Sequence, residues 1–106
     1  MNTRVEQAEI WIAMANVQVD KNNSSIKDAG YAYVNVLGLA KSKIDFRKNV
    51  ANELSSLKLK LLRLENAERF KERVAKYKVE DSIHVLVKEL LDGDAKIKFS
   101  TFHTYD

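Results

Sequence analysis

The sequence predicts an α+β fold, a two-layer sandwich with the element order β-β-α-β-α-α-β. Three observations carry that prediction. Residues 31–39 read Tyr-Ala-Tyr-Val-Asn-Val-Leu-Gly-Leu, the aromatic and β-branched composition of a strand. Ser42-Lys43-Ile44-Asp45 is a helix-capping box, followed by apolar residues at 46, 50, 54 and 57, which share one helical face. Near the end of the chain, residues 95–103 alternate apolar and polar with period two, as a strand requires. The alternative is an all-α bundle with one long helix over 43–78, because Leu and Lys are also good helix formers. The apolar phase argues against it. The stripe at 46, 50, 54, 57, 61 and 64 would continue at Glu68, whereas the apolar residues fall at 67, 70, 74 and 77. A bundle would also leave the last strand without a partner for its amides.

Thr3-Arg4-Val5-Glu6 is a second capping box, so a helical start near residue 4 is open. Residues 9–19 fit either a helix stripe at 5, 8, 12, 15 and 19 or a strand. As a strand they alternate at 10, 12 and 14 and then at 17 and 19, with a bulge between the two runs. The polar stretch 20–25 then reads as the loop of a hairpin about ten residues long, with a single helical turn at 25–28. The strand at 31–39 carries apolar residues on both faces, which places it centrally and covered. Ser55-Ser56 ends the first helix, and Lys58-Leu-Lys-Leu opens a strand over 58–65. If that strand runs parallel to the one at 31–39, the crossover between them is right-handed.

Residues 66–77 are helical in composition, with Phe70, Val74 and Tyr77 on one buried face and Glu68, Glu72 and Lys76 spaced for ion pairs. Asp81 or Ser82 caps the last helix. Its stripe is Ile83, Leu86, Val87, Leu90 and Leu91, and Gly93 stands at the left-handed position beyond its end. The final strand presents Ile97, Phe99, Thr101 and His103 to the helices, which gather on one side of the sheet. Lys96, Lys98, Ser100, Phe102 and Thr104 form its other face.

Composition bounds function more than it defines it. With 106 residues, 45% apolar and 31% charged, the chain reads as one globular domain over 1–106. It has no apolar run long enough to span a membrane and no signal-peptide pattern, which points to the cytoplasm without membrane contact. The absence of cysteine excludes disulfides and thiolate chemistry. The net charge of +3 divides unevenly: residues 41–78 hold twelve Lys or Arg against five Asp or Glu, and the remainder is acidic.

Little in the sequence suggests catalysis. His84 and His103 lack metal-ligand spacing, and His84 reads as a solvent-facing helix residue. Gly30, Gly38 and Gly93 are too dispersed for a phosphate loop. Lys96 and Lys98 fall where Asp92-Gly93-Asp94 would need further calcium ligands. The expectation is therefore a small non-enzymatic protein, without cofactor or metal, that acts through protein–protein contact and self-associates. Phe102 and Tyr105 on an edge strand are the candidate self-association residues, forming a homodimer or larger closed assembly. The alternative is a nucleic-acid-binding regulator using Lys58, Lys60, Arg63, Arg69, Lys71 and Arg73. Such a role requires aromatic residues beside the cations on one exposed face.

Overall fold

A computed structural model describes residues 8–19, 30–93 and 95–105. Its elements are β1 (Glu9–Val19), β2 (Tyr31–Ala40), α1 (Lys43–Ser56), β3 (Leu59–Arg69), α2 (Phe70–Lys76), α3 (Asp81–Leu91), β4 (Ile97–Phe99) and β5 (His103–Tyr105). The mixed α+β class and the predicted order hold, with the last strand divided in two, and no long helix runs through 43–78. The expected capping box at Thr3–Glu6 and helical turn at 25–28 lie outside the described residues.

The five strands form one antiparallel sheet in the order β3-β1-β2-β4, with β5 also pairing β2. β1 and β2 are the expected antiparallel pair, in unbroken register from Glu9↔Ala40 to Gln18↔Tyr31. β1 pairs β3 on its other side, so β2 and β3 run in the same direction with β1 between them.

The expected bulge within β1 is not there; the irregularities fall in β3. Its register against β1 shifts between Ile12 and Met14 and again between Asn16 and Val17. Asn66, at φ 56°, lies in the first shifted segment. β1 keeps one phase instead. Trp11, Ala13, Ala15, Val17 and Val19 are buried on one face, and the small alanines let a helix approach closely.

That helix is α1. Its N-terminus is capped as predicted by Ser42, whose Oγ accepts from the Asp45 N–H at 3.1 Å. It buries Phe46, Val50 and Leu54 against the sheet and ends at Ser56. Leu57, expected on the same stripe, lies past the helix end and is exposed. Trp11 anchors this core, donating Nε1–H to the Ala40 carbonyl at 3.1 Å and stacking on Phe46 at a centroid distance of 6.2 Å.

The helices do not gather on one side. The opposite face of the sheet carries a second, smaller core in which Ile12 and Leu37 meet Ile83 and Leu90 of α3. Strand alternation requires the division. Ile12 and Leu37 are register partners and point away from the Trp11–Gly38 row that faces α1. β2 is central, and among the described residues it is covered on both faces only near this end.

Three boundaries differ from the expectation. β3 continues to Arg69, four residues past the predicted end, because pairing to Trp11 and Ile12 overrides helical composition. The helix that follows is therefore short and has no buried residue; Phe70 packs partly against the second core, while Val74 and Tyr77 are exposed. Neither Asp81 nor Ser82 is the N-cap of α3. Glu80 holds that position without a side-chain bond, and Gly93 is left-handed at φ 86° as predicted.

The last strand breaks between Phe99 and His103. Val36 pairs with Phe99 and Tyr33 with His103, so two residues of β2 oppose three of the tail. The extra residue reverses the side-chain phase. Phe102 therefore joins Ile97 and Phe99 on the α1 side, its ring 5.7 Å from that of Phe99. His103 passes to the other face.

Candidate functional site

Among the described residues nothing covers the half of the sheet face beyond α3, and its residues fall in rows fixed by the strand register. Lys60, Gln18 and Tyr31 form one row. Arg63, Asn16, Tyr33 and His103 form the next. Glu65, Met14 and Asn35 form a third, nearer α3. Neighbouring strands are about 4.8 Å apart, so the cations lie about 10 Å across the sheet from the tyrosines. Tyr31 and Tyr33 are 37% and 39% exposed. The Tyr33 and His103 rings stack across two strands at 4.9 Å and 21°, so each covers one face of the other. Asn16 donates from Nδ2 to the Glu65 carboxylate, which holds that carboxylate within the third row.

The predicted basic cluster splits in two. Lys60 and Arg63 are exposed on the open face, and among the described residues neither has an ion-pair partner. Lys58 sits in the turn between α1 and β3, left-handed at φ 61°. The other three cations are engaged within the fold. Arg69 lies 3.0 Å from Glu9 and over the Trp11 ring at 5.6 Å, and Lys71 reaches the same Glu9 at 2.9 Å. Arg73 pairs with Glu68 and donates to the Asn66 carbonyl at 3.0 Å. Glu72, expected to pair along its helix, instead accepts the Arg69 backbone N–H at 3.1 Å.

Glu68 is the centre of the strongest ion cluster, with Arg73 on one oxygen and Lys76 at 2.8 Å on the other. The hydrogen bond from Lys76, followed by that from Arg73, holds the Glu68 carboxyl below its ordinary range. The same contact raises the Lys76 ammonium. At Glu9 the Lys71 hydrogen bond lowers the carboxyl in the same way.

A cleft of about 590 Å³ opens beside the third row. Ile12 and Asn35 of the sheet, Asn66 and Glu68 of β3, and the segment from Tyr77 to Glu80 line it. Of the two self-association candidates, Phe102 is half-buried against the α1-side core. Tyr105 pairs with Tyr31 through its backbone, and its side chain lies outside the described part. His84 is exposed, as expected, with its ring edge-on to Phe70 at 5.7 Å.

Sequence reasoning missed Tyr31, Tyr33, Asn35 and His103 as one surface. The signal was present at 31–35, where large polar-tipped residues alternate with Ala32 and Val34. Among the described residues no group of three or more His, Asp or Glu is placed to hold a metal ion, and no helix is long and apolar enough to cross a membrane. No protein-family model, no curated protein and no solved structure matches the chain.

Proposed function

We propose that the chain is a non-enzymatic binding protein whose ligand is single-stranded nucleic acid, held on the open face of the sheet. The observation that carries this reading is the pair of rows in which Lys60 and Arg63 stand at one side, and Tyr31, Tyr33 and His103 at the other. Single strands are bound by rings that stack on bases and by cations that follow the phosphates. Successive tyrosines on one strand face are about 6.6 Å apart. Bases in a duplex strand are stacked about 3.4 Å apart. Ligand bases seated on both rings must therefore be unstacked from each other, which a single strand allows and a duplex resists. A sequence pI near 9.1 agrees with a polyanionic ligand.

The test is fluorescence anisotropy of a labelled single-stranded oligonucleotide at about 50 mM and about 200 mM salt. Tyr33→Ala should weaken binding by about 1–3 kcal/mol. Lys60→Glu with Arg63→Glu should weaken it further and reduce the salt slope by about 1.4, for two phosphate contacts to a single strand. No binding at the lower salt, or equal binding of duplex and single strand, refutes the reading.

A second reading keeps protein–protein contact and self-association. β4 and β5 pair only with β2 among the described residues, which leaves their outer edge for strand addition by another copy. With Phe102 packed on its own core, backbone pairing would have to carry that contact. A clean monomer by light scattering at micromolar concentration removes it.

A further inference from the structure

We infer that the cleft beside the third row is a pocket for one unpaired nucleobase, with adenine preferred and Asn35 as its reader. The inference rests on the binding face proposed above and extends it by one position. Asn35 follows Tyr33 on the same face of β2, two residues or about 6.6 Å further on. A strand laid across Tyr31 and Tyr33 therefore delivers its next base to the mouth of the cleft.

The chemistry of the walls selects a neutral heterocycle over a phosphate. Ile12, Val79 and Ile83 supply apolar wall, and Tyr77, 62% exposed, stands beside them. The cations Arg73 and Lys76 are already matched by Glu68, and the remaining wall charges, Lys78 and Glu80, are one of each sign. A phosphate entering here would meet two carboxylates. A base would meet flat apolar contacts and one free amide. Asn35 bonds through its backbone N–H to Ser100 Oγ at 3.1 Å, and among the described residues its side-chain amide has no partner. An amide offers a donor and an acceptor side by side, the pattern that pairs with adenine. At about 590 Å³ the cleft falls within the range of small-ligand pockets, about 300–1,000 Å³.

The experiment measures binding of labelled ten-residue oligothymidine and of the same oligomer with one central thymidine replaced by adenine, guanine or cytosine. The adenine-containing oligomer should bind more tightly by about 5- to 150-fold, the discrimination of one bidentate pair. Asn35→Leu should remove that preference to within about twofold. It should lower the affinity for the adenine-containing oligomer by more than that for plain oligothymidine, which Tyr33 holds. Tyr77→Ala, at an exposed position where folding is not at stake, should weaken only the adenine-containing oligomer. Equal binding of all four oligomers overturns the pocket and leaves the face standing. An adenine preference that survives Asn35→Leu also overturns the pocket. No binding of any oligomer overturns both.

Discussion

Gly38 is closely packed by Ile97 of β4 and Phe46 of α1, and adding one methyl group there should be costly. A Cβ at this position would stand 2.5 Å from Ile97 Cδ1, 3.0 Å from Phe46 Cε1 and 3.2 Å from the Lys96 carbonyl oxygen. The Gly38 backbone is not left-handed, so the penalty is steric rather than conformational. Overpacking a core by one carbon costs about 1–3 kcal/mol, and replacing glycine returns about 0.4–1 kcal/mol through the unfolded chain. Gly38→Ala should therefore lose about 1–2 kcal/mol and lower the thermal midpoint by about 4–12 °C. Urea unfolding with Ile97→Val as the second arm of a double-mutant cycle isolates the cause. Ile97→Val removes Cδ1 and alone costs about 0.5–1.5 kcal/mol. If Cδ1 is what the new methyl meets, the double variant loses less than the sum by about 0.5–1 kcal/mol. Strict additivity, or a Gly38→Ala protein as stable as the parent, refutes the close approach.

Glu68 should make stability sensitive to acid. Its folded pKa lies below the ordinary 4.5, so its contribution is present above that value and is lost as pH falls through the lowered folded value. Urea midpoints measured from pH 6 down to about 2.5 should fall more steeply for the parent than for Glu68→Gln; parallel curves would show that the cluster adds nothing. Phe102→Ser should cost about 1–2 kcal/mol, from half burial of its ring, and leave the light-scattering mass unchanged. A change in assembly without loss of stability would place that ring in an interface instead.

The strands and helices were legible wherever short-range chemistry decided them. Ser42, the Phe46–Val50–Leu54 stripe, the Ser55–Ser56 stop and Gly93 all act within a few residues of themselves. What the sequence hid depends on pairing with distant segments. Residues 66–69 have helical composition and become strand because Trp11 and Ile12 offer them a ladder. The extra residue between Phe99 and His103 cannot be seen without β2 as the ruler, and it decides which face each ring takes. The basic cluster failed as a unit for the same reason. Glu9, some sixty residues from Arg69 and Lys71 in sequence, sits beside both.

The open face follows from a mismatch of lengths. β1 has eleven residues and spans about 36 Å, whereas α3, also of eleven residues, is only about 16 Å long. Even laid along the strand, α3 could shield less than half of it, and the side chains change accordingly: Ile10 and Ile12 belong to the core that α3 shares, while Met14, Asn16 and Gln18 do not. On the other face burial continues from Trp11 to Val19 without a break. One strand thus passes from a region covered on both faces to a region covered on one, which native-state hydrogen exchange can resolve. Amides from Trp11 to Ala13 and from Val36 to Leu39 should exchange slowest. Those of Asn16, Val17, Ala32 and Tyr33, covered on one face only among the described residues, should open locally and exchange about tenfold faster or more, roughly 1.4 kcal/mol of opening free energy. Saturating oligothymidine, which lacks the base the cleft would take, should slow the second group more than the first, because the second lies beneath the rings that would hold it. Uniform protection along β1 in the free protein would mean that something else covers this face.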